Sequence, residues 1–300
     1  MKKKTYLFTL MAMALTLGSC SDNENGIGGE TSKYITVSTS IGNMTRVATD
    51  EKGGQTFEEG DEISVYAWTG APTVAPETSE RVVNNAINKL TNGSWISTPQ
   101  MLWKNNREKH YFIGVYPTAA ISDLSAGEYT FDANKQTESD LLVAVNPDGL
   151  SYSADAQQTV PLTFTHVMAK LAVNLTYKNQ WGGIPTVEKV VVGNAAKEAT
   201  INYLTKVVTP STTAKEDFSL PEITENTKYV SVIIPQEEVT QLTIVIGGKN
   251  FVYDNGTPFK LESGKITTVN LEVGRDEIKL GDVKITNWED GSTFSGEALN

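Results

Sequence analysis

The sequence predicts an all-β protein built from two β-sandwich domains in tandem. Apolar residues alternate with polar ones along many short segments, which is the period of a strand with one buried face. These segments are rich in Val, Ile, Thr and Tyr and are bounded by Gly, Pro, Asn or Asp. The chain has 300 residues, which is enough for two hydrophobic cores. Many short strands separated by frequent turns are typical of sandwiches.

The first 19 residues have the pattern of a lipoprotein signal peptide. Lys2-Lys3-Lys4 precede a short apolar run, and Leu17-Gly18-Ser19 leads to Cys20, the only cysteine of the chain. The run is too short to span a membrane. We therefore expect cleavage before Cys20, a diacylglyceryl group on its sulfur and an acyl chain such as palmitate on its amine. The alternative is an ordinary export signal followed by an incidental cysteine.

The remaining organisation follows from composition. Residues 20–33 are acidic and Gly-rich with few apolar side chains, which predicts a flexible tether. An N-terminal sandwich is expected over residues 34–165 and a C-terminal sandwich with an extension over residues 166–300. The boundary is placed near His166 because the polar stretch 151–159 precedes an apolar run that leads through this histidine.

The first strand is predicted at residues 35–41, and further half-buried strands of antiparallel sheets follow along the chain. Asp254-Asn255-Gly256 predicts a hairpin turn. Residues 80–90 could form one or two helical turns. The further predicted strands cover residues 63–67, 110–116, 171–175, 187–192, 230–234, 242–246 and 266–273.

Composition argues against an enzyme and against a nucleic-acid partner. The formal net charge is −11, which would repel nucleic acid and anionic lipid surfaces. Neither G-x-S-x-G, H-E-x-x-H, a phosphate-binding loop nor a calcium loop occurs. The only histidines, His110 and His166, are interpreted as hydrogen-bonded structural residues. We expect no catalytic residue, cofactor or metal.

Five segments in register resemble the fimbrillin (Mfa-like) family, whose members are type V pilus subunits of Bacteroidetes. The resemblance covers nearly the whole chain after the leader. It implies two transthyretin-like (Greek-key) sandwich domains, export as a lipoprotein and no catalytic residues. The segments are FEEGDEISVYA at 57–67, YFIGVYP at 111–117, DLLVA at 140–144, LTFTHVMAKL at 162–171 and ITNWEDG at 285–291.

The resemblance also implies a mechanism of assembly. In such pilins an arginine-specific surface protease removes the lipid together with the first strand, and an extended segment of the next subunit fills the vacated groove. Arg46 and Val47 follow the first strand and are the expected cleavage site. The displaced side chains would be those of Ile35, Val37, Thr39 and Ile41. Candidate donor side chains are those of Ile278, Leu280, Val283 and Ile285, and the alternative for this stretch is a permanent last strand of the second domain.

Three function classes stay open. The first is a structural pilus subunit that supports cell adhesion, lipid-anchored in the outer membrane as a precursor and later part of an extracellular fimbrium. Its partners would be other pilin subunits and the protease. The second is a tip adhesin or surface lipoprotein that binds a glycan or a host protein, for which exposed aromatics such as Trp95 and Trp103 are candidates. The third is an exported hydrolase that uses two carboxylates.

Overall fold

The structure is a computed structural model that describes residues 33–42, 56–136, 138–153 and 158–288. These residues form nineteen β-strands and two short 3₁₀ helices, Thr78–Glu80 and Asn179–Trp181, so the predicted all-β class is confirmed. In chain order the strands are β1 Thr36–Ile41, β2 Glu62–Thr69, β3 Val83–Thr91, β4 Ser94–Thr98, β5 His110–Tyr116, β6 Gly127–Thr130, β7 Leu142–Leu150, β8 Thr159–His166, β9 Ala169–Tyr177, β10 Val187–Ala196, β11 Glu198–Asn202, β12 Val207–Pro210, β13 Lys215–Ser219, β14 Glu222–Thr224, β15 Lys228–Ile233, β16 Gln236–Ile246, β17 Lys249–Leu261, β18 Lys265–Val273 and β19 Ile278–Asn287.

The strands form four sheets. Seven strands of the first half make one sheet in the order β1-β8-β7-β5-β2-β3-β4. The second half contributes a five-stranded sheet, β14-β15-β9-β18-β19, and a four-stranded sheet, β13-β10-β16-β17. A small sheet, β12-β11-β6, joins a strand from each half. β8 and β9 meet near His166 and belong to different sheets, whereas the division into two domains and the transthyretin-like topology stay predictions.

Two hydrophobic cores lie on opposite faces of the seven-stranded sheet. Along β2, Val65 and Ala67 face a first core shared with β1, β3, β5, β7 and β8. Tyr66 and Trp68 face a second core shared with the strands of the second half. β2 is therefore buried on both faces rather than on one, and its run of apolar residues is continuous for that reason.

The prediction of antiparallel sheets holds for most pairs and is wrong for two. β1 runs parallel to β8, and β9 runs parallel to β18. Parallel neighbours require long crossover connections, and strand periodicity carries no information about such distant partners.

The helical interpretation of residues 80–90 is also wrong, because most of this segment is β3. Val65 pairs with Ala86 and Ala67 pairs with Val83, so β3 holds an extra residue and forms a β-bulge. Asn85 lies in this bulge with φ 56°. The bulge places the buried side chains of Val83 and Ala86 three residues apart, which imitates the spacing of a helix.

The hairpin turn lies elsewhere than predicted. Residues 254–256 are part of the continuous strand β17, at an irregularity in its pairing with β16. The connection between these strands is the pair Gly247-Gly248, with φ values of 57° and 71°. Positive φ at both central residues of a two-residue hairpin favours glycine. The pair Gly247-Gly248 is therefore the sequence feature that predicts this hairpin.

Candidate functional site

The first candidate element is β1, an edge strand of the seven-stranded sheet. It pairs with β8 over its whole length, from Thr36 opposite Thr159 to Ile41 opposite Phe164. Beyond the strand, the amide of Gly42 donates to the carbonyl of Phe164 at 2.7 Å. No described strand pairs with the second flank of β1 between Thr36 and Ile41. Between Thr36 and Ile41, β8 is thus the one described strand that pairs with β1.

The side chains of β1 and of Ile35, which directly precedes it, nevertheless contribute strongly to the first core. Ile35, Val37 and Ile41 are 2%, 6% and 9% exposed. Thr39 is half-buried, and its Oγ1 accepts a hydrogen bond from the indole nitrogen of Trp95 at 3.0 Å. The alternating pattern predicted from the sequence therefore points three apolar side chains inward from an accessible strand.

A groove of about 700 Å³ opens along the second flank of β1 and separates it from β4, the opposite edge of the sheet. At one end the backbone closes, because the amide of Ile35 donates to the carbonyl of Met101 at 2.9 Å. The described lining residues carry no charge and include Phe57 and the 55% exposed Ile96. The groove therefore offers an uncharged, extended surface between two sheet edges.

The two tryptophans considered for ligand binding differ in exposure. Trp103 is 9% exposed and packs edge-on against His110 and Phe112 with centroid distances of 5.0 and 5.7 Å. Trp95 is half-buried against Phe57 and bonded to Thr39. Trp103 therefore makes internal contacts, whereas Trp95 contributes part of its ring to the wall of the groove.

The second candidate element is β19, an edge strand of the five-stranded sheet that pairs with β18. Val283 lies opposite Val269 and Leu280 opposite Leu271, so β19 has one extra residue between them, at Gly281-Asp282. This bulge turns all four candidate donor side chains to the core face of the sheet, although their spacing in the sequence changes phase.

The side chains of β19 are only loosely packed. Ile278 and Leu280 are partly buried, whereas Val283 and Ile285 are 37% and 38% exposed. On the neighbouring strand β18, Val269, Leu271 and Val273 are buried. β19 therefore lies at the margin of this core and buries less of its own side chains than its neighbour does.

The ends of both elements approach His166. Its Nδ1 lies 2.7 Å from Oδ1 of Asp140, and its ring stacks on the indole of Trp288 at 4.1 Å and 7°. The ammonium of Lys170 lies 4.5 Å from the same indole. Burial lowers the pKa of Lys170, and the carboxylate of Asp140 partly opposes that shift. A cavity of about 170 Å³ joins Ile41 to Asp140 and His166.

Several predicted sites lie outside the described residues: the leader and tether with Cys20, and the cleavage site Arg46-Val47. That site falls between Gly42, which follows β1, and Thr56, which lines the groove. Within the described part of the chain, no three His, Cys, Asp or Glu side chains are close enough to hold a metal ion. In the same part, no helix has the length and apolar character to cross a membrane.

The sequence matches a known protein family over most of its length. The model of the family described as fimbrillin-like matches residues 45–288. The chain belongs to the fimbrillin-like family. This family comprises structural proteins of pili and cell adhesion without enzymatic activity, which confirms the prediction that the chain is not an enzyme. Membership implies exposure at the cell surface and assembly with other pilin subunits.

Solved structures of similar proteins share the fimbrillin-like fold at low identity. A protein from Bacteroides ovatus whose name assigns it to cell adhesion is 17% identical, with a TM-score of 0.65 over 85% of this chain and 98% of the other. A similarly named protein from Bacteroides uniformis is 16% identical, with a TM-score of 0.60 over 86% and 100%. A fimbrial protein from Bacteroides vulgatus is 12% identical, with a TM-score of 0.50 over 84% and 99%. The comparison with curated proteins gives no match.

The packing of the two edge strands predicts unequal contributions to stability. Ile35→Ala removes a side chain that is 2% exposed and should lower the free energy of unfolding by about 2 to 5 kcal/mol. Ile285→Ala is the matched control, since Ile285 is 38% exposed, and it should cost less than about 1 kcal/mol. Urea unfolding monitored by circular dichroism measures both values. Equal losses would contradict the assignment of β1 as the required strand.

Proposed function

We propose that this fimbrillin-like protein is a pilus subunit that is exported as a lipoprotein and assembled by protease-triggered strand exchange. The observation that supports the proposal is the combination found in β1, which pairs with β8 alone between Thr36 and Ile41 and yet contributes buried side chains to the first core. Cleavage between Arg46 and Val47 would separate β1 and the lipidated end from the remainder of the chain. The precursor would be anchored in the outer membrane, and the product would join an extracellular fimbrium.

The free energy contributed by the buried side chains of this segment supports the need for a replacement strand. Burial of Ile35, Val37 and Ile41 contributes about 1.5 to 3 kcal/mol for each side chain, or about 5 to 9 kcal/mol together. Domain stabilities are typically about 5 to 15 kcal/mol, so loss of β1 leaves the domain close to its unfolding threshold. The exposed partners on β8 would include Leu162 and Phe164, which are buried when β1 is in place. An incoming strand would restore both the backbone ladder and this core.

β19 of a neighbouring subunit has the properties of a donor. It is an edge strand with little buried surface, so it can leave its own sheet at low cost. If its bulge at Gly281-Asp282 is retained, the effective spacing of its apolar side chains equals that of β1. Ile278, Leu280, Val283 and Ile285 would then take the places of Ile35, Val37, Thr39 and Ile41. Such a head-to-tail contact does not close on itself and yields open filaments.

Processing at Arg46 is the first prediction of this proposal. An arginine-specific protease acting on the full chain should produce a new amino terminus at Val47 and start filament growth. Mass spectrometry detects the new terminus, and light scattering measures filament growth. Arg46→Ala should prevent both events, because the scissile bond is no longer recognised. Arg107→Ala removes an exposed loop arginine and should change neither. Filaments formed by the Arg46→Ala protein at the normal rate would contradict the processing step.

The donor role of β19 gives a second prediction. Val283→Asp places a carboxylate on the face that would enter the neighbour's apolar groove, so filament growth should slow by more than about tenfold. The monomer should stay folded because Val283 is 37% exposed. Lys284→Asp introduces the same charge on the opposite face of β19 and should assemble normally. Equal assembly of the two variants, measured by light scattering after cleavage, would remove β19 as the donor.

Lipidation at Cys20 gives a third prediction. Cys20→Ala should abolish incorporation of labelled palmitate and shift the protein from the detergent phase to the aqueous phase, because stable anchoring requires the acyl chains. Ser21→Ala is the control and should be labelled normally. Unchanged membrane partitioning of the Cys20→Ala protein would show that this cysteine is not the anchor.

A further inference from the structure

A side-chain hydrogen bond crosses the groove between β1 and β4. The indole nitrogen of Trp95, on β4, donates to Oγ1 of Thr39, on β1, at 3.0 Å. The two strands are opposite edges of the seven-stranded sheet and share no backbone ladder. In the inward-facing series of this segment, Thr39 is the one residue with a hydroxyl, since Ile35, Val37 and Ile41 are apolar. The bond therefore joins the single polar member of that series to the opposite wall of the groove.

The other contacts of Trp95 orient its indole without β1. Trp95 lies opposite Leu90 in the pairing of β4 with β3, and its ring packs edge-on against Phe57 at a centroid distance of 5.3 Å. Phe57 in turn packs edge-on against Phe164 at 5.1 Å. All these residues follow Arg46 in the chain. The proposed cleavage would thus leave in place the residues that hold the indole.

The chemistry of the indole N–H makes it sensitive to the side chain that it faces. This group is a donor only, so it requires an acceptor. Threonine and valine have nearly the same shape, but only threonine offers an oxygen. A site built around a hydrogen bond to a hydroxyl rejects an analogue that lacks it, whereas an apolar pocket separates the two weakly. Trp95 is half-buried, so the expected preference is that of one partly solvated hydrogen bond.

The β19 strand of an identical copy does not supply this acceptor. In the register proposed above, Val283 takes the place of Thr39, and its side chain has no polar atom. The remaining donor residues, Ile278, Leu280 and Ile285, are apolar like those that they replace. The mismatch falls at the one position that the indole contacts.

We infer that Trp95 determines which donor strand the groove prefers, by favouring serine or threonine at the third inward position. The preferred occupant is a strand of another pilin subunit, with apolar residues at the other inward positions, and β19 of an identical copy binds more weakly. The described lining of the groove carries no charge, which suits such a strand. The inference rests on the proposed strand exchange and specifies the chemistry of the partner.

Peptides that compete with the resident β1 fragment test this inference on the chain cleaved at Arg46. A labelled peptide of residues 34–42 should bind about fivefold more tightly than the same peptide with Thr39→Val, measured by fluorescence anisotropy. The two peptides should bind equally to the Trp95→Phe protein, which keeps a ring against Phe57 and lacks the N–H. Equal binding to the protein with Trp95, or a preference that persists in the Trp95→Phe protein, would overturn the role of Trp95.

Two further peptides provide a control and the reverse change. Oγ1 of Thr36 donates to the carbonyl of Gln158 at 3.3 Å, so a Thr36→Val peptide should change in affinity by the same factor for both proteins. A peptide of residues 278–286 with Val283→Thr should bind about fivefold more tightly than the natural β19 peptide, and only to the protein with Trp95. No gain from this added hydroxyl would contradict the inferred preference.

The intact chain gives an independent measurement of the same bond. Thr39→Val and Trp95→Phe should together shift the urea midpoint by less than the sum of their separate shifts, because both remove one hydrogen bond. Additive shifts would overturn the inference. Failure of every peptide to bind would contradict strand exchange itself and the partner with it. Equal binding of the threonine and valine peptides would contradict only the role of Trp95, so the two failures are distinct.

Discussion

The parallel pairing of β1 with β8 is the constraint on which the rest of the structure depends. β8 presents Val160, Leu162 and Phe164 to the first core, and β1 is the strand that covers this margin of the sheet. Edge strands of natural sheets are usually short, charged or covered, so that they do not recruit other chains. β1 carries no charged residue between Thr36 and Ile41 and leaves one flank without a described partner strand. The uncharged composition of β1 is therefore typical of an interior strand, although β1 lies at an edge of its sheet.

The two edge strands divide the requirements of an exchange reaction between them. A strand that is to be replaced must contribute strongly to the stability of its core, since otherwise its loss would not favour binding of a substitute strand. A strand that is to be donated must contribute little to the stability of its own subunit, since otherwise the donor would unfold. β1 and the preceding Ile35 supply three buried apolar side chains, whereas no residue of β19 is buried. In the proposed exchange, this difference in burial determines that β1 is the strand replaced and β19 is the strand donated.

Short-range patterns predicted the all-β class and the burial of β1, because an exact period of two reports on one buried face. The segment 110–116 coincides with β5, and the alternation of Ile35, Val37 and Ile41 is matched by their burial. Patterns failed where the backbone departs from that period. The bulge at Asn85 imitated a helix, and the bulge at Gly281 concealed that four side chains share one face. Pairing between β1 and β8 lies beyond local patterns, since the partners are more than one hundred residues apart.

The contact between His166 and Trp288 shows a further limit of reading segments one at a time. The two residues belong to separate family-like segments, LTFTHVMAKL at 162–171 and ITNWEDG at 285–291. The stacking at 4.1 Å makes them parts of one contact between β8 and the end of β19. The structural interpretation of His166 is therefore correct but incomplete. The imidazole of His166 is hydrogen-bonded to Asp140, lines an open cavity together with Ile41 and stacks on the indole of Trp288. These contacts arise only when segments that are distant in the sequence are brought together by the fold.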